Sequence, residues 1–139
     1  MIDTNFENIV YEKPVLHFLG APYPIIKHPR GFFHTQSGLN QIKSDLLVLL
    51  LTNPGERVML PEFGTPLRKL LFEPMTPITS SALSKEVEYV IKNFDKRVTL
   101  QSVDVAALYD YNAYQVTVTF YIENLVEPFT ADFILSRLR

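Results

Sequence analysis

Apolar residues recur along this chain with two periods, helical in the first part and strand-like in the last. Leu39, Ile42, Leu46, Leu49 and Leu50 fall on one stripe, while Asn40, Gln41, Lys43, Ser44 and Asp45 cover the other side. That pattern predicts a helix capped by Ser37 and ending near Thr52. From Leu46 to Leu51 the sequence is apolar all round, which predicts burial on every side for that half. Leu67, Leu70 and Leu71 stand at i, i+3 and i+4 and predict a short second helix opened by Pro66. A third helix is expected over Thr79–Phe94, with Thr79 as cap and Leu83, Val87, Val90, Ile91 and Phe94 inward. Glu88 and Lys92 would form an i,i+4 ion pair on its outer face.

The period then changes to two. In Tyr114–Glu123, Tyr114, Val116, Val118, Phe120 and Ile122 alternate with Gln115, Thr117, Thr119, Tyr121 and Glu123, the signature of a half-buried strand. Val98–Leu108 is its expected partner through the connection Tyr109–Ala113. Its apolar parity slips between Leu100 and Val103, which predicts a bulge. Phe129, Ala131, Phe133 and Leu135 make a last strand after the turn at Asn124–Pro128. The fold class expected is α+β, with about three helices packed on a mainly antiparallel C-terminal β-meander.

The N-terminal quarter has no such order. Met1–Lys13 shows no clean period, and Pro14, Gly20, Pro22, Pro24, Pro29 and Gly31 exclude a long helix through Val15–His34. Short extended pieces at Tyr23–Lys27 and Phe32–Thr35 fit, with Phe32 and Phe33 packing onto the domain. The division expected is an extended Pro-rich arm over residues 1–36 and one domain over residues 37–139. Such an arm suits wrapping a neighbour as well as folding back on its own sheet.

Composition narrows the function classes. At 139 residues and 47% hydrophobic, the chain can bury a substantial core as one domain. A net charge of −2 argues against a nucleic-acid binder, which is usually basic. The absence of cysteine removes disulfides and thiolate metal sites. Met1–Glu7 lacks the basic and apolar regions of a signal peptide, and Leu46–Leu51 is too short an apolar run to span a bilayer. A soluble protein without membrane partners is expected.

Candidate chemistry concentrates in residues 52–74. Asn53-Pro54-Gly55 stops the first helix, Phe63-Gly64 makes a second bend, and the acid–base pair Glu56-Arg57 sits between them. Glu56 and Arg57 either satisfy the turn and each other or face a partner, for which the planar fork of arginine is suited. Glu56, Glu62 and Glu73 offer the carboxylates a glycosidase needs, but its acid requires a raised pKa. Arg57 beside Glu56, and Lys69 four residues before Glu73, would act in the other direction. His17, His28 and His34 lack ligand spacing, and no phosphate-binding glycine loop or serine nucleophile elbow occurs. No catalytic, cofactor-binding or metal-binding residues are expected.

Three linked pieces carry a resemblance: Thr52 with Gly55-Glu56-Arg57, Pro61-Glu62-Phe63-Gly64, and Leu71-Phe72-Glu73-Pro74. They resemble, in order and spacing, the signatures of the baseplate wedge proteins of contractile-tailed bacteriophages and their relatives in type VI secretion baseplates. The likeness extends less sharply from about Pro29 to the last strand. The family's second signature, Glu-Pro-Arg, corresponds to Asp95-Lys96-Arg97, where the acid is shorter and the proline is missing. The resemblance implies a structural subunit that links the wedge core to the first sheath layer and starts sheath assembly. Its implied partners are other wedge proteins including the helical core bundle, the tail sheath protein, and baseplate proteins near the tail tube. Its implied location is the virion tail, assembled in the host bacterial cytoplasm. Glu56, Arg57, Asp95 and Arg97 are the expected charged contacts; Arg97 could equally be a solvated charge favoured by the helix dipole. Phe129, Ala131 and Phe133 are expected at a sheet edge that only Asp132 and Pro128 protect, open to a strand from another chain. Two alternatives stay open: a tail-associated peptidoglycan hydrolase, and a regulatory module related to anti-adaptor proteins of the same fold.

Overall fold

The computed structural model describes residues 19–25, 27, 36–122 and 125–137. The earliest elements are two short strands, β1 (Leu19–Gly20) and β2 (Gln36–Ser37), paired antiparallel with Leu19 opposite Ser37. This pairing holds Ser37 extended, so the expected cap of the first helix is moved by one residue. Gly38, at φ 69°, is the N-cap of α1 (Leu39–Leu51) and has no side chain to cap with. Its carbonyl accepts from the N–H groups of Gln41 and Ile42 at 3.1 and 3.2 Å. The expected Phe32–Thr35 piece and residues Met1–Lys13 lie outside the described residues.

Ile42, Leu46, Leu49 and Leu50 of α1 are buried, as their stripe requires. Two residues depart from the expected sides. Gln41 is buried, because the segment after β1 crosses it: its Nε2 donates to Asp45 Oδ1 at 2.6 Å and to the Ala21 carbonyl at 3.4 Å. A Cβ on Gly20 would stand 2.4 Å from that amide nitrogen. Leu51 is 47% exposed, so the last turn is not covered all round. The loop that follows leaves this side of the helix open.

α2 (Leu67–Leu71) follows Pro66 and buries Leu67. α3 (Pro77–Phe94) begins two residues before the expected start. Thr76 is its N-cap, with Oγ1 accepting the Thr79 N–H at 3.2 Å, and Pro77 takes the first helical position, where a missing N–H costs nothing. Thr79 is then free to donate its hydroxyl to the Pro74 carbonyl at 2.8 Å. Leu83, Val87, Val90 and Ile91 form the buried face, and Lys92 Nζ lies 2.5 Å from Glu88 Oε1 on the outer one.

The C-terminal half is one antiparallel sheet in the order β3 (Val98–Leu108), β4 (Ala113–Ile122) and β5 (Phe129–Ser136). β3 and β4 join through a 3-10 turn at Tyr109–Tyr111 and Asn112 at φ 47°. Leu100 pairs with Phe120 and Ser102 with Thr119, which leaves Gln101 as the extra residue of the expected bulge. α3 lies across β3, and the inner sheet face closes on α1 and α3. Val116, Val118 and Phe120 of the central strand are fully buried. Helices on one face and solvent on the other is the expected α+β layering.

Candidate functional site

Residues 52–66 form a loop closed at its base. Thr65 N–H donates to the Thr52 carbonyl and Gly55 N–H to the Pro61 carbonyl, both at 2.8 Å. Gly64 makes the close approach: at φ 114°, a Cβ there would lie 2.3 Å from the Thr52 oxygen. Glu56 and Arg57 brace opposite sides of this loop. The Glu56 carboxylate accepts the Asn53 N–H at 2.9 Å and its side-chain amide at 2.7 Å. These hydrogen bonds, the side-chain one first, hold its pKa below the ordinary carboxylate value. Arg57 instead lies over the Phe63 ring, 4.1 Å from its centroid, and Phe63 meets Phe94 edge-on at 5.4 Å. Beyond this bracing the tip projects Val58 and Met59, 92% and 94% exposed.

The corner between α3 and β3 is knitted more tightly than its sequence implies. Arg97 grips Asp95 with Nε and Nη2 at 2.9 and 2.7 Å, and reaches Asp45 on α1 with Nη1 at 2.9 Å. The Asp95 hydrogen bonds, followed by those to Asp45, push the guanidinium pKa further up against the opposing effect of burial. Asp95 itself is buried, and its Oδ1 also accepts the Arg97 N–H at 3.1 Å. Asp95 and Arg97 thus form a side-chain clamp on this corner. Arg97 ties the sheet to α1 and keeps only about a third of its side chain exposed. Asp45 and Gln41, missed by sequence reasoning, complete this network.

Arg57, Asp95 and Arg97 come together around one open groove of about 450 Å³, floored by Val48, Leu49, Phe63 and Phe94 and flanked by Lys96. Glu56 does not join them; it lies beside a different cavity with Asn53 and Arg68.

The edge of the sheet has a defined polarity. Arg137 N–H donates to the Asn112 carbonyl at 3.1 Å, one step beyond the Ser136–Ala113 pair. In an antiparallel ladder such pairs alternate. The hydrogen-bonded positions facing β4 are therefore Phe129, Ala131, Phe133 and Leu135. Thr130, Asp132, Ile134 and Ser136 direct their backbone groups to the free side. Ala131 and Phe133, expected at a partner surface, have side chains 1% and 7% exposed and belong to the core. Phe129 is half-buried with its ring 6.5 Å from Phe120. What this edge can offer a partner is the backbone of the four outward residues. Their alternation with the apolar positions was the available signal.

Glu62 and Glu73 are exposed, and the Asn53 hydrogen bonds shift the Glu56 pKa down, opposite to the raised pKa a general acid needs. His17, His28 and His34 lie outside the described residues. Among the described residues no group of three or more potential ligands is placed to hold a metal ion, and no helix is long and apolar enough to cross a membrane.

Residues 36–127 match the family model of baseplate wedge protein gp25. The chain belongs to the baseplate wedge family. The matched span runs from β2 to just before β5 and includes the braced loop and the Arg97 corner. The baseplate wedge protein gp25 of Enterobacteria phage T4 is 38% identical over 73 residues, which cover 52% of this chain. The match spans 55% of that relative's length, about half. A pyocin R2 baseplate protein in its postcontracted state is 29% identical, with a TM-score of 0.55 over 72% of this chain and 99% of its own. A protein of Geobacter sulfurreducens, described as a "putative tail lysozyme", gives a TM-score of 0.65 over 71% of this chain and 90% of its own. At 20% identity that last likeness is one of fold. The pyocin R2 and Geobacter proteins thus share the fold of this chain.

Proposed function

We propose that this protein is a structural wedge subunit of a contractile phage tail that joins the wedge core to the first sheath layer and initiates sheath assembly. The observation that carries the proposal is the open side of β5. Among the described residues β5 pairs with β4 alone, and its outward row offers only Asp132 as a charged gatekeeper. A strand lent by a sheath subunit would satisfy that row by β-augmentation. The groove around Arg57, Asp95 and Arg97 is the complementary surface for the wedge core: an apolar floor with a charged rim suits a helical partner. In this reading the protein resides in the virion tail, is assembled in the host cytoplasm and performs no catalysis.

The test is a proline at Asp132. That residue's N–H faces the free side, so the change removes an edge donor and leaves the β4 ladder intact. Asp132→Pro should fold, enter the baseplate and fail to nucleate sheath, read by electron microscopy of assembled tails. Sheath of normal length on baseplates carrying Asp132→Pro would overturn the proposal. Phe133→Pro serves as the contrast, since it breaks both ladder and core.

A further inference from the structure

Beside the free edge of β5 lies an apolar cavity of about 280 Å³. Its walls come from the last turn of α1 (Leu50, Leu51), from α2 (Leu67, Leu71) with Phe72, and from the C-terminal half of β5. The floor is buried, whereas Leu51 and Phe72 at the mouth are 47% and 52% exposed. Glu56 and Arg68 supply its charged groups, one of each sign. This is about twice the volume of a cavity that accepts benzene, roughly 150 Å³.

We infer that this cavity is a selectivity pocket for the strand that pairs with β5, and that it takes one large apolar side chain of that strand. The inference rests on the edge-pairing proposed above and adds what the edge alone lacks. A row of backbone groups accepts any extended sequence, because main-chain hydrogen bonds carry no side-chain information. Alternate side chains of a paired strand point to the two faces of the sheet. Those of the added strand on the inner face would come down beside Leu135, where the cavity opens. Those on the outer face would meet solvent with Thr130, Asp132 and Ile134. The backbone row of β5, unpaired among the described residues, is what selects the occupant: a helix or a small apolar ligand could fill the cavity but would leave that row unsatisfied. Register follows from the same geometry. With the pocket at one point along the edge, an alignment must place the large residue there, and a slip by one residue would turn that side chain to solvent.

The experiment uses the full chain and the sheath subunit of the same tail, with binding measured by biolayer interferometry. Leu51→Glu and Phe72→Glu each put a charge at the mouth without touching the buried floor. Either should weaken sheath binding at least tenfold while the thermal melt stays close to wild type. Hydrogen exchange then locates the sheath segment protected on binding, and aspartate is substituted along it one residue at a time. One inward position should lose at least tenfold in affinity, and its outward neighbours less than threefold. If binding is lost with Asp132→Pro but survives both mouth variants and shows no single sensitive position, the pocket is refuted and the edge-pairing stands. If binding survives Asp132→Pro, or does not occur with the wild type, edge-pairing fails and the pocket falls with it.

Discussion

Gly64→Ala should be among the most damaging small substitutions in this chain, and Gly55→Ala a much milder one, although both glycines have positive φ. At Gly55, with φ 90°, no atom lies within 4 Å of an added Cβ. Its replacement costs the backbone term alone, ~1–2 kcal/mol. Gly64 sits at φ 114°, a region disfavoured by about 1–3 kcal/mol for other residues. Its Cβ would also meet the Thr52 carbonyl oxygen at 2.3 Å and carbon at 2.9 Å, both backbone atoms held by the end of α1. Relieving that contact moves the carbonyl that accepts the Thr65 N–H, and the lost hydrogen bond adds ~1 kcal/mol. The sum is ~2–4 kcal/mol, against ~1–2 kcal/mol for Gly55→Ala. For a domain of this size the larger figure lowers the melting temperature by about 10 °C. Urea denaturation of the two variants, with m-values compared to wild type, measures both. Equal losses at the two sites, or a larger one at Gly55, would refute the claim that the loop is closed by the approach of residue 64 to Thr52.

Leu50→Ala removes a side chain 2% exposed and should cost ~2–5 kcal/mol, whereas Leu51→Ala, 47% exposed, should cost under ~1 kcal/mol in the same denaturation assay. Arg97→Met strands the buried Asp95 and should destabilise by ~1–3 kcal/mol, discounted for the one-third exposure of the arginine side chain. An unchanged melt would assign Arg97 to partner contact alone. The Glu56–Asn53 contact should depend on pH: its carboxylate has a lowered folded pKa, so the bond is fully present above the ordinary carboxylate value and is lost as pH falls through the folded one. The side-chain amide protons of Asn53, followed by NMR, should shift on acidification in that window and stay constant from pH 6 to 8.

The periodic parts of this fold were readable residue by residue. The stripe of α1, the inner face of α3 and the alternation of β4 each repeat a pattern that only one geometry buries. β3 even disclosed its bulge, because one extra residue inverts the parity of all that follow. What stayed hidden depends on residues far apart in the chain. Gln41 looks solvent-facing until Ala21 arrives beside it, and the reach of Arg97 to Asp45 spans 52 positions. The start of α3 differs locally: Thr79 is the expected cap, but Thr76 before Pro77 takes that place and begins the helix two residues earlier. The edge was legible in kind but not in its residues. The parity of β5 places Ala131 and Phe133 inward and leaves Thr130, Asp132, Ile134 and Ser136 on the outer face.

The polar chain from Ala21 through Gln41 and Asp45 to Arg97 and Asp95 also has a mechanical meaning. Gln41 and Asp45 both stand on α1, so a load on the segment just after β1 is resisted by the weakest member of this chain of contacts. That member is the 3.4 Å contact between Gln41 and Ala21, while the Arg97 clamps at 2.7–2.9 Å are short and charge-assisted. β1, two residues long, adds little resistance. That contact should therefore part before the Arg97 corner does.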